Sequence, residues 1–94
     1  QKTPLSSARM MAARLGVSFD DIASKSRKAP IVRARQIMMA ALKSATDMSL
    51  SEIGRILGDR DHATVLYGLA QIEKLKTADL MIAAEIQQMI EECK

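Results

Sequence analysis

The sequence predicts an all-α domain of about five to six helices, and three observations carry that prediction. Apolar residues recur three and four positions apart along most of the chain, the spacing that puts them on one helix face. The 48% apolar content comes from Leu, Ile, Val, Ala and seven Met, with one Tyr, one Phe and no Trp, so few stretches carry the β-branched and aromatic alternation of strands. Cap residues and helix breakers punctuate the apolar stripes at helix-length intervals: Thr3-Pro4, Gly16, Ser18, Ser49 and Gly58. At 94 residues the chain is a single domain, large enough for a helical core.

Thr3-Pro4 opens the first helix, with Thr3 as cap and proline at the first helical position, and Leu5, Ala8, Met11, Ala12 and Leu15 follow at helical spacing. Gly16 ends it. Ser18 caps a short second helix in which Asp20 and Asp21 suit the positive end of the helix dipole and Phe19, Ile22 and Ala23 face inward. From residue 25 to 35 the chain carries Lys25, Arg27, Lys28, Arg33 and Arg35 with no acid, and Pro30 is expected to keep the middle of this basic loop from being helical. The stripe Ile31, Ala34, Ile37, Met38, Ala41, Leu42 and Ala45 predicts a long central helix to about Thr46, with Met38 and Met39 as core filler.

Asp47-Met48 then leads into Ser49, whose hydroxyl can cap a helix while Glu52, three residues on, reaches back to it. Gly58 can take the left-handed conformation that closes this short helix, and Asp59-Arg60-Asp61 makes the turn into the next. That helix is expected to run to about Lys76, with Val65, Leu66, Leu69, Ile72 and Leu75 inward. Thr77 is expected to cap a last helix over residues 77–94 whose apolar face is Leu80, Met81, Ala84, Ile86, Met89 and Ile90.

Two helices joined by a tight turn over residues 49–76 form a helix-turn-helix, in which the first residues of the second helix enter the major groove of DNA. Here those residues are Asp61, His62, Ala63 and Thr64, offering a carboxylate acceptor, a ring nitrogen, a methyl and a hydroxyl to base edges. Asp61 also serves as a helix cap without any ligand. His62 is the sole histidine: it has no evident nucleophile to activate and no His or Cys at ligand spacing, so neither catalysis nor a metal site is expected. One cysteine, Cys93, cannot form a disulfide within the chain, which fits a reducing cytoplasm. No apolar run approaches the length that crosses a bilayer, and no glycine-rich phosphate loop is present to hold ATP. Charge is uneven: residues 1–76 hold thirteen Lys or Arg against seven Asp or Glu, a net of +6, whereas residues 77–94 carry −3. Only the first part suits a polyanion.

Ile53-Gly54, the run Gly58 to Leu66, Ile72-Glu73-Lys74-Leu75 and Val32-Arg33-Ala34-Arg35-Gln36 together resemble the C-terminal DNA-binding domain of the bacterial replication initiator DnaA, over roughly residues 17–76. The resemblance implies a Trp-repressor-like helical fold that binds double-stranded DNA as a monomer at DnaA-box-like sites. It implies a cytoplasmic, nucleoid-associated protein with no cofactor: either part of a longer chain whose ATPase domain lies elsewhere, with residues 1–16 as the helix that connects to it, or a small free-standing DnaA-like relative. By the same resemblance Arg33 enters the minor groove, and Arg35, Lys43 and Arg60 meet the DNA backbone. Lys25, Arg27 and Lys28 supply further phosphate contacts. Asp61 accepts from a cytosine amino group, His62 contacts a base, and Thr64 meets a thymine methyl or a phosphate. Ser51 is a further contact, standing where the family often has proline. Three departures stand out. Ala63 replaces a hydroxyl residue, Ala70 and Gln71 replace basic ones, and Gly68 stands where a small residue such as alanine is usual. Ala63, Ala70, Gln71 and the acidic last helix motivate the alternative of a protein-interaction or transcription-regulator module with altered or lost DNA specificity.

Overall fold

The computed structural model describes residues 3–94, and these form six helices with no strand among them. Helix α1 (Pro4–Arg14) opens as its sequence dictates, with the Thr3 hydroxyl accepting from the Ser6 amide at 3.1 Å. Helix α2 (Phe19–Ala23) is capped by Ser18, and the Arg9 guanidinium lies 5.1 Å from the Phe19 ring centre. Helix α3 (Ala29–Ala45) is the hub, packing against all five others. Helices α4 (Leu50–Ile56) and α5 (His62–Ala78) form the helix-turn-helix, and α6 (Leu80–Cys93) closes the domain. No helix among the described residues is long and apolar enough to cross a membrane.

The core is methionine and aliphatic. Met38, Met39 and Leu42 of α3 meet Met11 of α1, Ile22 of α2, Ile53 and Leu57 around α4, Val65 and Ile72 of α5, and Ile86 and Met89 of α6 in one buried cluster. Each such side chain contributes roughly 1.5–3 kcal/mol on leaving water. At the rim Arg14 donates to both carboxylate oxygens of Glu92, at 2.8 and 2.7 Å, joining α1 to α6.

Four expectations are corrected. The segment 25–35 is not a loop throughout: α3 begins at Ala29, with Pro30 in its first turn, where the missing N–H has no helical partner to lose and the fixed φ suits the helix. Leu66 is not inward but 48% exposed, because the buried line of α5 runs through Val65, Gly68 and Ile72. Thr77 does not cap α6. Helix α5 runs on to Ala78, the Thr77 hydroxyl donates back to the Glu73 carbonyl at 3.0 Å, and Asp79 ends α5 and caps α6 at once. Leu80 and Met81, 80% and 77% exposed, lie off the core, which α6 joins through Ile86, Met89, Ile90 and Cys93.

Gly68 marks the crossing of α5 over α3. A Cβ there would stand 2.5 Å from the Met39 sulfur and 3.3 Å from Gln36 Cγ, so the close approach explains a residue that otherwise costs a helix about 1 kcal/mol.

Candidate nucleic-acid interface

The turn between α4 and α5 is built from backbone constraints. Ser49 and Glu52 make the reciprocal capping box, the Glu52 amide donating to Ser49 Oγ at 3.1 Å and the Ser49 amide to Glu52 Oε1 at 3.0 Å. The Ser49 amide first, then the Ser49 side chain, holds the Glu52 carboxyl below the usual carboxylate range. After α4, Gly58 at φ +106° and Asp59 at φ +59° reverse the chain, and the Arg60 amide closes the turn on the Gly54 carbonyl at 2.9 Å. A Cβ on Gly54 would land inside the Arg60 carbonyl group, so only glycine lets the turn fold back onto α4.

Asp61 then caps α5. One of its oxygens accepts from the Thr64 amide and the Thr64 hydroxyl, both at 2.9 Å. The amide chiefly, then the hydroxyl, holds the Asp61 carboxyl below its ordinary pKa, keeping it an acceptor. Asp61, His62, Ala63 and Thr64 are all exposed. One turn further on stand two residues absent from the sequence-based site, Leu66 and the 62% exposed Tyr67. Their signal was spacing, since they follow His62 and Ala63 by four positions each and so share that face.

The cations sort into three groups. In the first, residues 24–28 form an irregular link between α2 and α3, extended at Ser24 and Lys28, with Ser24 and Ser26 half-buried and Lys25, Arg27 and Lys28 exposed. Arg27 lines a hollow with Val32, Arg33, Gln36, Tyr67 and Gln71, between the start of α3 and the outer face of α5. Arg33 itself sits on the second turn of α3 and not on an arm; Lys74 lies near it across Gln36 and Gln71. The second group points inward. Arg35, only 5% exposed, donates to the Ile22 carbonyl at 2.8 Å and to those of Asp21, Ser24 and Ser26 at 3.3–3.4 Å. Its guanidinium fork satisfies the carbonyls left over where the short helix α2 ends, so it is not displayed for the phosphate contact expected of it. Arg60 is likewise directed at carbonyls, those of Leu57 and, at 2.6 Å, Ser24. Burial first, then the charge of Arg60, lowers the Arg35 pKa, and burial lowers that of Arg60. The third group is Lys43 alone among the expected contacts. It lies in a groove with Leu69, Glu73, Lys76 and Ile86 of α6, on the opposite flank of α5 from Tyr67 and Gln71. Ser51 is exposed on the first turn of α4. The structure therefore gathers Lys25, Arg27, Arg33 and the first turn of α5 around one surface, with Lys28 exposed in the same segment, and leaves Lys43 outside it.

Residues 8–72 match the family model described as the bacterial dnaA protein helix-turn-helix. A chromosomal replication initiator protein DnaA from Rhodopseudomonas palustris is 41% identical over 81 residues, covering 86% of this chain and 17% of that protein. Those of Gloeobacter violaceus and Xanthobacter autotrophicus are 43% and 44% identical over 77 and 79 residues, 82% and 84% of this chain and 16% of each relative. The chain thus spans about a sixth of the length of the curated relatives it matches.

Proposed function

Because the chain belongs to the family of bacterial DnaA-protein helix-turn-helix domains, DNA-binding modules of replication initiation, we propose that it reads a DnaA-box-like duplex as a monomer, in initiation or its regulation. One observation supports this reading above the rest: the capped first turn of α5 stands exposed beside an irregular segment whose exposed side chains are all cationic. In the major groove Asp61, an acceptor only, matches a cytosine amino group. The Ala63 methyl packs on a thymine methyl, and His62 and Thr64 meet neighbouring edges or a phosphate. Arg27 takes the minor-groove role, since it rides the irregular segment between two helices as an arm does, while Arg33, fixed on a helix, serves a phosphate with Lys25 and Lys28. Phosphate contacts position the domain and the α5 turn supplies the sequence preference. Ala63 keeps apolar contact but offers no hydrogen bond, which relaxes the preference at its base pair.

The test is a titration of the chain against a DnaA-box duplex and a duplex scrambled at the central bases, repeated with His62→Ala. The expected result is a preference of tenfold or more for the intact box, about 1.4 kcal/mol, which the variant loses. Equal, weak binding of both duplexes by the unaltered chain would overturn the reading.

A further inference from the structure

We infer that Arg60 and Arg35 are positioning residues, a pair of guanidiniums that clamp the cationic segment 24–28 in its DNA-ready shape and tie it to the start of the reading helix. Both converge on one atom, the Ser24 carbonyl oxygen, Arg60 from the helix-turn-helix turn at 2.6 Å and Arg35 from α3 at 3.3 Å. Arg35 also holds the Ser26 carbonyl at 3.3 Å, two residues along. The amides of the same segment are satisfied locally, Ser26 N–H on Ser24 Oγ at 3.1 Å and Lys28 N–H on Ser26 Oγ at 3.3 Å. Burial alternates along the segment, so with Ser24 and Ser26 held inward Lys25 and Arg27 stand exposed. A basic segment of this length without such partners would have to be ordered at the moment of binding, with a matching loss of affinity. Arg60 belongs to the turn immediately before Asp61, so the clamp also sets the distance between the segment and the α5 turn. Lysine cannot replace it: an ammonium carries the charge but lacks the planar fork that spans the Leu57 and Ser24 carbonyls.

The role assigned to the segment rests on the proposed DNA reading, so the test has one arm without DNA. In the free chain, Arg60→Lys is expected to lower the backbone amide order parameters of Ser26, Arg27 and Lys28 from about 0.85 toward about 0.6 while those of α3 and α5 stay put. Unchanged values would overturn the clamp whether or not DNA binds. In the second arm, Arg60→Lys lowers affinity for the box duplex about tenfold at unchanged charge. That loss shrinks to less than about twofold when Arg27 is already alanine. A loss of the same size in the Arg27→Ala background would instead make Arg60 an independent phosphate contact and refute the positioning role. Arg60→Gln, which retains a planar amide donor for one carbonyl, is expected to fall between the two.

Discussion

The tightest point of the motif is Gly54, and replacing it with alanine separates a backbone argument from a propensity argument. Alanine is the better helix former by about 1 kcal/mol, and Gly54 lies inside α4, so propensity alone predicts stabilisation. Packing predicts the reverse. The new Cβ would overlap the Arg60 carbonyl and reach 3.3 Å from Val65 Cγ2, and the obstructing group is main chain that cannot rotate away. Relief requires the turn to lift off α4, which breaks the bond from the Arg60 amide to the Gly54 carbonyl and pulls Val65 from the core. Overpacking of this kind costs about 3 kcal/mol at the upper end of its usual range. The net is a loss of about 2 kcal/mol after the propensity gain, or roughly 10 °C in Tm for a domain of this size. Urea unfolding followed by circular dichroism measures it, with Gly68→Ala as the comparison. There the obstruction is the Met39 sulfur, a side-chain atom that can shift, so the loss should be smaller by about 1 kcal/mol. A Gly54→Ala variant as stable as the unaltered chain would refute the reasoning.

Other outcomes follow from the same structure. Asp61→Asn keeps the cap geometry and removes the charge, so it should lower Tm only slightly at neutral pH while changing which base pair is preferred in a duplex competition assay, whereas Asp61→Ala should lower Tm further and lose box affinity. Glu52 and Asp61 both have depressed pKa values in the folded state, so the stability they lend is present above the ordinary carboxylate pKa of about 4. It drains away as the pH falls from there through their lowered folded values, and unfolding midpoints between pH 5 and 2 should show a shallower decline in the double Gln/Asn variant. Leu42→Ala, at the buried centre of α3, should cost about 2–5 kcal/mol in denaturant, while Leu66→Ala on the exposed face should stay within about 0.5 kcal/mol.

Helix ends were legible wherever the signal is local. Thr3, Ser18, Ser49, Gly58 and Asp61 each cap or close a helix through groups within a few residues, and a local rule reads them correctly. Pro30 misled because proline breaks a helix interior but favours a first turn, and position within the helix cannot be known before the start is known. Leu66 misled because the centre of the buried line on α5 is a glycine. With no side chain at Gly68 to anchor the pattern, the apolar stripe reads one position over. Thr77 and Asp79 are both good caps, and because α5 runs on through Thr77 to Ala78 the capping of α6 falls to Asp79.

The arginines were the least legible, and the reason is chemical. Between Lys25 and Arg35 five cations lie among neutral residues and nothing in the pattern ranks them. What ranks them is the set of carbonyls at the end of α2 and along residues 24–26, acceptors that every sequence possesses and no side-chain pattern displays. A guanidinium can be buried against such a cluster because its five donors find partners while its charge stays delocalised. A lysine there would be left with a compact, strongly hydrated charge. The chain uses arginine at both inward positions, 35 and 60, and both lysines of the segment, 25 and 28, are outward. The net charge of +6 over residues 1–76 therefore overstates the field that meets a polyanion, since two of those charges are committed to shaping the surface. Their contribution to DNA binding comes through where they hold Lys25, Arg27 and Lys28, which is a matter of backbone geometry before it is one of charge.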